Sequence, residues 1–530
     1  MDPHSRENHR FFTAQDLRQI RALGLRPSDV KKQLETYRRG FRSLTLVRPC
    51  VPGDGIRSLS PAERKRLIRL YDAEACGSRI AKFVPASGAA SRMFAVWYAA
   101  AERGTFGHEG LDRSFFHDLG KMPFISLLKQ NDGMRRMLKK KDVRAVLQSI
   151  LLPSGLDFGG LPKALIPFHA YRNGEIRTAL EEHLQEAAGL IADQKGVCRL
   201  HFTVSAEHVE PVKIYLRSCI PRLEKRLGVR FRVDLSLQSR STSIVAADGR
   251  HRPFRDEDGR LVFRPGGHGA LLHNLQMLDA DLIFVKNIDN IPPESLQEKI
   301  LPHKKVLGGL MIETRRKVYS CLRRLGKKSL SLTDLKAVAD FCRDVLCTDI
   351  PRGYPRLKEE EKRQWLFRVL NRPLRVCGMV KNEGEPGGGP FWVLEKDDAQ
   401  SLQIVESGHV DFQLPEQADI WAAASYFNPV DMVCCTKDYR GKKFILDNYV
   451  NRDAYLISPK TEKGRKLLAL ELPGLWNGGM ARWNTIFVEL PLAAFNPVKT
   501  VYDLLRPQHR TGRAVKPSSL QTPPEKRPGR

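Results

Sequence analysis

The stretch LIFVKNIDN, residues 282–290, places polar side chains directly after a short apolar run. A bounded apolar run of this length predicts a buried β-strand. Similar runs recur along the chain, at 79–84, 200–204, 231–237 and 375–380. Helical patterns separate them, notably over 206–227 and 271–277. Strands that alternate with helices predict an α/β fold with a largely parallel sheet, and the polar residues of 287–290 then lie at its carboxyl edge, where ligands bind.

The charge balance is the unusual feature of the composition. Lys and Arg number 88 against 60 Asp and Glu, a net charge of +28 over 530 residues. Such a balance attracts polyanions, whether nucleic acid, acidic lipid or phosphorylated small molecules, although a generally basic proteome gives the same number. Aromatic residues make up only 8% and are scattered. We therefore expect no specific nucleic-acid partner, which would need basic residues clustered with stacking aromatics.

Three absences in the sequence bear on where the protein works. No stretch approaches the roughly 20 apolar residues of a membrane span. The first residues lack the apolar segment of a signal peptide, and the ten cysteines include no CxxC pair. We therefore expect a cytoplasmic protein with reduced thiols and no membrane partner.

A loop of small residues follows the predicted strand at 79–84. Ala86, Ser87 and Gly88 would let backbone N–H groups approach a phosphate closely, and Arg92 adds a full positive charge near a helix N-terminus. A tight strand-to-helix turn is the alternative explanation for this composition. Lys163 follows in the segment LPKALIP, where a lysine of any exposed loop is the corresponding alternative.

Further candidates lie in loops of the second half of the chain. The run PGGHGAL at 265–271 is too rich in glycine for a helix or strand interior, so its backbone meets something closely. The segment KNEGEPGGGP at 381–390 suits contact with a sugar phosphate through Lys381 and Glu385, or forms a flexible linker. Asn428 and Asn477 stand beside aromatic residues, an arrangement that suits a sugar ring but that turn chemistry explains equally well.

Taken together, several of these segments resemble those of known enzymes. The loop at 83–93 followed by 161–167 resembles the signature of sugar-nucleotide pyrophosphorylases. The run at 265–269 followed by 287–290, and the segment FNPVKTVYDLL at 495–505, are similar to UTP–sugar-1-phosphate uridylyltransferases. The whole chain is also similar to an uncharacterised bacterial domain-of-unknown-function family, numbered forty-three oh-one, which names no reaction.

The resemblance implies roles for individual residues. It places Arg92, Lys163 and Lys499 on the triphosphate and makes Asp289 the ligand of a catalytic magnesium ion, Mg²⁺. The nucleotide would also contact the small residues of the loop, the Gly-His-Gly run and a glutamine after the strand at 231–237: Ala86, Ser87, Gly88, Gln238, Gly267, His268 and Gly269. The sugar phosphate would contact Lys381, Gly384, Glu385, Asn428 and Asn477.

The implied fold is α/β, the nucleotide-diphospho-sugar transferase (GT-A-like) fold, with a mixed, mostly parallel sheet, helical insertions and an α+β C-terminal region. The expected organisation is an N-terminal helical extension, a nucleotidyltransferase core with a helical insertion and a helical segment, a C-terminal part contributing to the site, and a disordered basic tail. The corresponding ranges are 1–78, 79–450 (with 104–155 and 294–370), 451–510 and 511–530.

The implied reaction joins a nucleoside triphosphate, with UTP favoured, to a sugar 1-phosphate and releases pyrophosphate without a protein nucleophile. One alternative is a glycosyltransferase of the same broad fold, which uses a nucleotide sugar. Such enzymes usually bind metal through Asp-x-Asp, whereas here the predicted strand is followed by Asn287-Ile288-Asp289. The other alternative is a non-enzymatic basic protein that binds nucleic acid.

Overall fold

The apolar runs of the sequence form strands, most of them in one sheet. A computed structural model describes residues 11–88, 90–327, 330–385 and 387–510 of the chain, so the predicted tail at 511–530 lies outside the described residues. In chain order the strands are β1 Leu46–Pro49, β2 Val51–Pro52, β3 Gly55–Arg57, β4 Ile80–Pro85, β5 Pro167–Ala170, β6 Ile176–Thr178, β7 Val197–Val204, β8 Arg230–Leu237, β9 Ile244–Val245, β10 Phe263–Arg264, β11 Leu282–Lys286, β12 Leu374–Lys381, β13 Gly389–Leu394, β14 Gln400–Val405, β15 Tyr426–Phe427, β16 Asp431–Cys435, β17 Leu456–Glu462, β18 Arg465–Glu471 and β19 Asn484–Glu489.

The central sheet has ten strands and is mainly parallel. Its order is β2-β3-β19-β12-β16-β11-β4-β7-β8, with β15 paired to β12 in addition. All neighbours on the main path run parallel except around β16, which is antiparallel to both β11 and β12. The predicted mixed α/β architecture with a mostly parallel sheet is therefore confirmed. The strand β16 was not predicted, and neither were β2 and β3, which lie inside the expected N-terminal helical extension.

Helices connect these strands in the way the sequence pattern indicates. The segments predicted to be helical, 104–155 and 294–370, consist mainly of helices. Among the described residues, no helix is both long enough and apolar enough to cross a membrane. In chain order the helices are α1 Ala14–Ala22, α2 Pro27–Arg39, α3 Pro61–Ala75, α4 Ala95–Arg103, α5 Glu109–Leu119, α6 Ile125–Gln130, α7 Asp132–Lys140, α8 Val143–Leu151, α9 Ala179–Leu190, α10 Val209–Leu227, α11 Leu271–Met277, α12 Glu294–Leu325, α13 Leu332–Asp344, α14 Glu359–Leu370 and α15 Pro415–Ala422.

The chain divides into two compact units. Unit 1 contains the central sheet and comprises the described residues of Met1–Gly88, Leu184–Ile288 and Lys299–Phe495. Unit 2 comprises those of Ala89–His183, Asp289–Glu298 and Asn496–Arg530. Within unit 2, α4 to α8 enclose an aromatic core that includes Trp97, Phe115 and Phe124, whose rings pack edge to face.

Unit 1 buries five charged side chains together at the middle of its sheet. Lys82 of β4, Lys286 of β11 and Asp431 of β16 lie on three neighbouring strands, and Glu186 of α9 and Lys304 of α12 join them. None of the five is more than 2% exposed. The oxygens of Glu186 lie 2.5 Å from Lys82 Nζ, 2.7 Å from Lys286 Nζ and 3.5 Å from Lys304 Nζ, and Lys304 also pairs with Asp431.

Three ammonium groups thus share two carboxylates, and their pKa values diverge accordingly. Burial, only partly offset by Glu186, lowers the pKa of Lys286 to about 7, and it lowers that of Lys82 as well. Burial also acts against the charge of Lys304, but Asp431 and Glu186 raise its pKa above the ordinary value. Because a buried ion is tolerated only with a partner, each member of this cluster depends on the others.

We predict that Glu186→Ala destabilises the protein by about 3–5 kcal/mol, because it leaves buried lysines without a counter-ion. The measurement is the free energy of unfolding from a urea titration at pH 7. Glu210→Ala is the matched control, since Glu210 is exposed and pairs with the neighbouring Lys213 on the same helix. An unchanged midpoint for Glu186→Ala would contradict the ionic role of the cluster.

A second prediction concerns pH and Lys286. The pKa of Lys286 is about 7 in the folded protein and about 10.4 in the unfolded chain. Between these two pH values the folded protein binds fewer protons than the unfolded chain. The contribution of Lys286 to stability therefore rises with pH over this range. The free energy of unfolding of the natural protein, minus that of Lys286→Met, should therefore increase by roughly 2 kcal/mol from pH 7 to pH 9. Urea titrations at both pH values measure this difference, and a difference independent of pH would refute the lowered pKa.

Candidate active site

In unit 2, Asp289 lies between two lysine side chains. The Nζ atoms of Lys163 and Lys499 are each 3.2 Å from Asp289 Oδ2. Lys163 Nζ also donates to the carbonyl oxygen of Val498 at 2.9 Å, which fixes the direction of its side chain. The side chains of Lys163 and Asp289 are 13% and 14% exposed, whereas Lys499 is 47% exposed. The pair Lys163–Asp289 is thus shielded, and Lys499 covers it from the solvent side.

The backbone brings these three residues together. Val498 N donates to the carbonyl oxygen of Asp289 at 2.9 Å, and Asn496 N donates to Asn290 Oδ1 at 2.9 Å. The residues after β11 therefore run against the segment that carries Lys499. The carboxylate of Asp503 accepts from Lys499 N at 2.8 Å and so holds the backbone of that lysine in place.

Arg92 belongs to the same group of residues. Its turn, Ala90–Arg92, is joined to the Lys163 segment by Ala90 N, which donates to the Leu161 carbonyl at 3.3 Å. It is joined to the Lys499 segment by Val501 N, which donates to the Met93 carbonyl at 3.1 Å. The Arg92 side chain is exposed, yet it lies close enough to lower the pKa of Lys163.

The electrostatics of this cluster favour a bound anion. Burial would raise the pKa of Asp289, but Lys163 and Lys499 hold it below its ordinary value, so the carboxyl is ionised. Burial lowers the pKa of Lys163, and Lys499 and Arg92 lower it further, although Asp289 opposes them. Two lysines therefore flank one carboxylate, with Arg92 near Lys163, and the excess positive charge is suited to phosphate groups.

The donor set at Asp289 fits a magnesium ion. Asp289 Oδ1 is buried and has no hydrogen-bond partner within the described part of the chain. Magnesium binds carboxylate oxygens together with phosphate oxygens and water, so a single free carboxylate oxygen next to a phosphate site is sufficient. In residues 11–510, apart from the few that are not described, no group of three or more His, Cys, Asp or Glu side chains could hold a metal. A metal at Asp289 would therefore take its remaining oxygens from water or from a bound ligand.

A second group of candidate residues forms around His268 in unit 1. The His268 ring stacks on Trp476, with centroids 4.3 Å apart, and its Nδ1 accepts from Leu475 N at 3.1 Å. His268 Nε2 lies 3.6 Å from Glu406 Oε1, and Glu406 also accepts from Asn477 Nδ2 at 2.6 Å. Burial works against the charge of Glu406, but His268 and Asn477 keep its pKa below the ordinary value. Glu406 was not identified from the sequence; it directly follows β14 and is distant in sequence from both His268 and Asn477.

The glycines beside His268 are required by the protein's own packing. A Cβ atom on Gly269 would lie 2.3 Å from the carbonyl oxygen of Pro473, and one on Gly266 would lie 2.6 Å from that of Thr242. Gly267 has a φ of +70°, which side chains other than glycine's rarely adopt. The close backbone contact predicted for 265–271 is therefore found. It is made in part with Leu472 and Pro473, which precede Trp476.

The structure places the residues of the small-residue loop at the end of β4. The N–H of Ala86 donates to the Thr203 carbonyl at 3.0 Å, so this amide continues the pairing of β4 with β7. Ser87 is half-buried and Gly88 exposed, with open space around Gly88. Gln238, after β8, donates to Thr242 Oγ1 at 3.4 Å. The sequence predicts that the backbone N–H groups of 86–88 approach a phosphate. The N–H of Ala86 already donates a hydrogen bond within the sheet.

The candidates for the sugar phosphate follow β12 and two later loops of unit 1. Lys381 ends β12 and is exposed, and the N–H groups of Gly384 and Glu385 both donate to Asn382 Oδ1 at 3.0 Å. Asn428 is 4% exposed and Asn477 is 2% exposed. Asn428 Nδ2 and Asn477 Oδ1 are both buried without a hydrogen-bond partner among the described residues. Each of these two loops thus holds one polar atom suited to a ligand.

The fold and these residues define an α/β protein with a basic cluster around an ionised carboxylate. The chain belongs to the domain-of-unknown-function family DUF4301, whose model matches residues 13–510. A comparison with curated proteins finds no match.

Solved structures of sugar-nucleotide enzymes are similar to the chain at low identity. The UDP-N-acetylglucosamine pyrophosphorylase of Trypanosoma brucei has 12% identity and a TM-score of 0.45, over 90% of this chain and 74% of that one. A UDP-glucose pyrophosphorylase variant from Leishmania major, in complex with UDP-glucose, has 12% identity and a TM-score of 0.44, over 94% and 79%. The UDP-glucose phosphorylase of Trypanosoma brucei has 14% identity and a TM-score of 0.43, over 93% and 77%. TM-scores of this size assign neither a fold nor an activity.

We predict that Gly269→Ala lowers the free energy of unfolding by about 1–3 kcal/mol, because the new methyl group would collide with two backbone carbonyls. Gly88→Ala is the matched control and should leave stability unchanged, since nothing lies within 4 Å of a Cβ at that position. Thermal melting of the two variants makes the comparison. Equal melting temperatures would mean that the loop at 265–271 packs less tightly than described.

Proposed function

We propose that the chain is a nucleotidyltransferase that forms a nucleotide sugar and pyrophosphate from a nucleoside triphosphate, with UTP favoured, and a sugar 1-phosphate. The observation that carries this proposal is the cluster of unit 2, in which Lys163 and Lys499 pair with Asp289 and Arg92 lies near Lys163. Three cations with one free carboxylate oxygen are suited to a triphosphate with a divalent cation. The proposed fold is the GT-A-like nucleotide-diphospho-sugar transferase fold.

In the proposed reaction an oxygen of the sugar phosphate attacks the α-phosphorus of the nucleotide. A new oxygen–phosphorus bond forms as the bond to the β-phosphate oxygen breaks, and pyrophosphate leaves with the electron pair. Lys163, Lys499 and Arg92 would neutralise the negative charge that develops on the phosphate oxygens. No side chain of the protein needs to act as a nucleophile, so catalysis comes from position and charge.

The two lysines change partners in this proposal. Without a substrate, their Nζ atoms pair with Asp289 Oδ2. A bound triphosphate would offer them oxygens of higher charge, and Asp289 would be the residue that holds magnesium. When bound, magnesium supplies further charge neutralisation at the phosphate oxygens. The contact of Lys163 with the Val498 carbonyl keeps its ammonium group in position throughout.

For the nucleoside we propose residues of unit 1. His268 and Trp476 form a stacked pair that offers a flat face, and Gly267 and Gly269 keep the backbone beside it compact. Ser87, Gly88 and Gln238 complete this set, together with Ala86, whose small side chain leaves space although its N–H is engaged.

For the sugar phosphate we propose Lys381, Gly384 and Glu385, which follow β12, and the two buried asparagines. Asn428 offers a free amide donor and Asn477 a free amide oxygen, which suit the hydroxyl groups of a sugar. Lys381 supplies a positive charge for the phosphate.

The decisive experiment is a screen for pyrophosphate release with magnesium, over several nucleoside triphosphates and sugar 1-phosphates. We expect release to require both substrates and to yield the nucleotide sugar. Release of a nucleoside diphosphate from a nucleotide sugar, with no pyrophosphate from any substrate pair, would favour a glycosyltransferase instead.

We predict that Asp289→Asn abolishes turnover, and that Lys163→Ala, Lys499→Ala and Arg92→Ala each lower it by about 10²-fold or more, because each removes a charge that is already in position. Lys139→Ala, an exposed lysine of α7 in the same unit, is the matched control and should keep full activity. Steady-state rates of pyrophosphate release and thermal melting are measured for all five variants. Near-normal activity of Asp289→Asn in magnesium would exclude the proposed metal site.

A further inference from the structure

A cavity of about 730 Å³ lies in unit 1 at the amino ends of β12 and β19. These two strands are parallel neighbours, with Leu374 opposite Asn484. The segment that carries Lys381 and Glu385 follows the other end of β12. The cavity therefore opens at the edge of the sheet opposite to the residues proposed for the sugar phosphate. Its volume is in the range of sites that enclose a small organic ligand.

Of the three arginines that line this cavity, two come from the residues just before a strand. Arg372 precedes β12 and Arg482 precedes β19, and the hydrogen bond from Asn484 N to the Pro373 carbonyl, 2.9 Å long, holds the two segments side by side. No carboxylate in the described part of the chain is within ion-pair distance of either guanidinium. Burial lowers the pKa of Arg372, and the charge of Arg482 lowers it further, although Tyr449 and Glu395 act in the opposite direction. Two guanidinium groups that lie close enough to act on one another, and that form no ion pair among the described residues, are suited to a phosphate.

The rest of the lining is suited to hydroxyl groups. Trp483 is 4% exposed, and its Nε1 has no hydrogen-bond partner among the residues described. Thr348, Asp397 and Asn451 add a hydroxyl, a carboxylate and an amide to the same wall. These groups supply both donors and acceptors, and Trp365 adds an aromatic surface.

We propose that this cavity binds a hydroxylated organic monophosphate, with the phosphate between Arg372 and Arg482 and the hydroxyl groups on Trp483 and its polar neighbours. The ligand class is that of small phosphorylated sugars and polyols. This site is independent of the proposed catalytic residues, because its lining lies at the amino ends of the strands and includes none of them.

The test uses the full-length protein and isothermal titration calorimetry with glucose 6-phosphate, ribose 5-phosphate and glycerol 3-phosphate. Inorganic phosphate and glucose are the reference ligands. We expect at least one of the three organic phosphates to bind more tightly than either reference. Arg372→Gln and Arg482→Gln should each raise its Kd at least 10-fold. Arg217→Gln, an exposed arginine of α10, is the matched control and should leave the Kd unchanged.

Two further measurements separate this site from the catalytic proposal and from misfolding. Binding of the organic phosphate should be unchanged in Lys163→Ala. A loss of binding in this variant would assign the measured heat to the proposed catalytic site and would overturn the inference. Thermal melting should show that Arg372→Gln is at least as stable as the natural protein, since it removes one of two like charges. The inference would also be overturned if none of the three organic phosphates binds, or if Arg217→Gln raises the Kd as much as Arg372→Gln and Arg482→Gln do.

Discussion

The buried cluster of Lys82, Lys286, Lys304, Glu186 and Asp431 is the interaction on which the central sheet depends. Its members come from three neighbouring strands and two helices, and all of the pairs form together only when the five elements are in place. Apolar side chains tolerate many alternative neighbours, but a buried ammonium group without a carboxylate costs several kcal/mol. The cluster therefore discriminates between the observed strand order and orders that bury the same apolar surface.

The carboxylate proposed to act in unit 2 is held by contacts within that unit. The backbone hydrogen bond from Val498 N to the Asp289 carbonyl fixes the main chain at Asp289. The pairing of Lys163 and Lys499 with the carboxylate fixes its side chain. Because both lysines pair with the same carboxylate oxygen, the other oxygen is left without a partner among the described residues.

Much of this could be predicted from the sequence, and the failures have a common physical cause. Strands β4, β7, β8, β11 and β12 follow from their apolar runs, and Lys163, Asp289 and Lys499, which share motifs with known enzymes, do lie together. The strand β16 was missed because it is short and begins with a charged residue. Glu406, and the pair Arg372 and Arg482, were missed because their significance depends on partners that only the tertiary structure brings close. Local sequence patterns predict strands and loops, whereas the role of a charged side chain depends on the residues that surround it in the tertiary structure.

The pairing of β3 with β19 has a consequence for the synthesis of the protein. Ile56 lies opposite Phe487, so two strands that are far apart in the sequence are paired. The strands β11, β4, β7 and β8 can associate on the ribosome once residue 286 has emerged. The strand β12 cannot join them until the intervening β16 is available. The strands β2 and β3 therefore cannot complete this pairing until the residues of β19 have been translated, and pairings of such long sequence separation form slowly. During that interval the exposed edge of β3 is open to chaperones and to association with other chains.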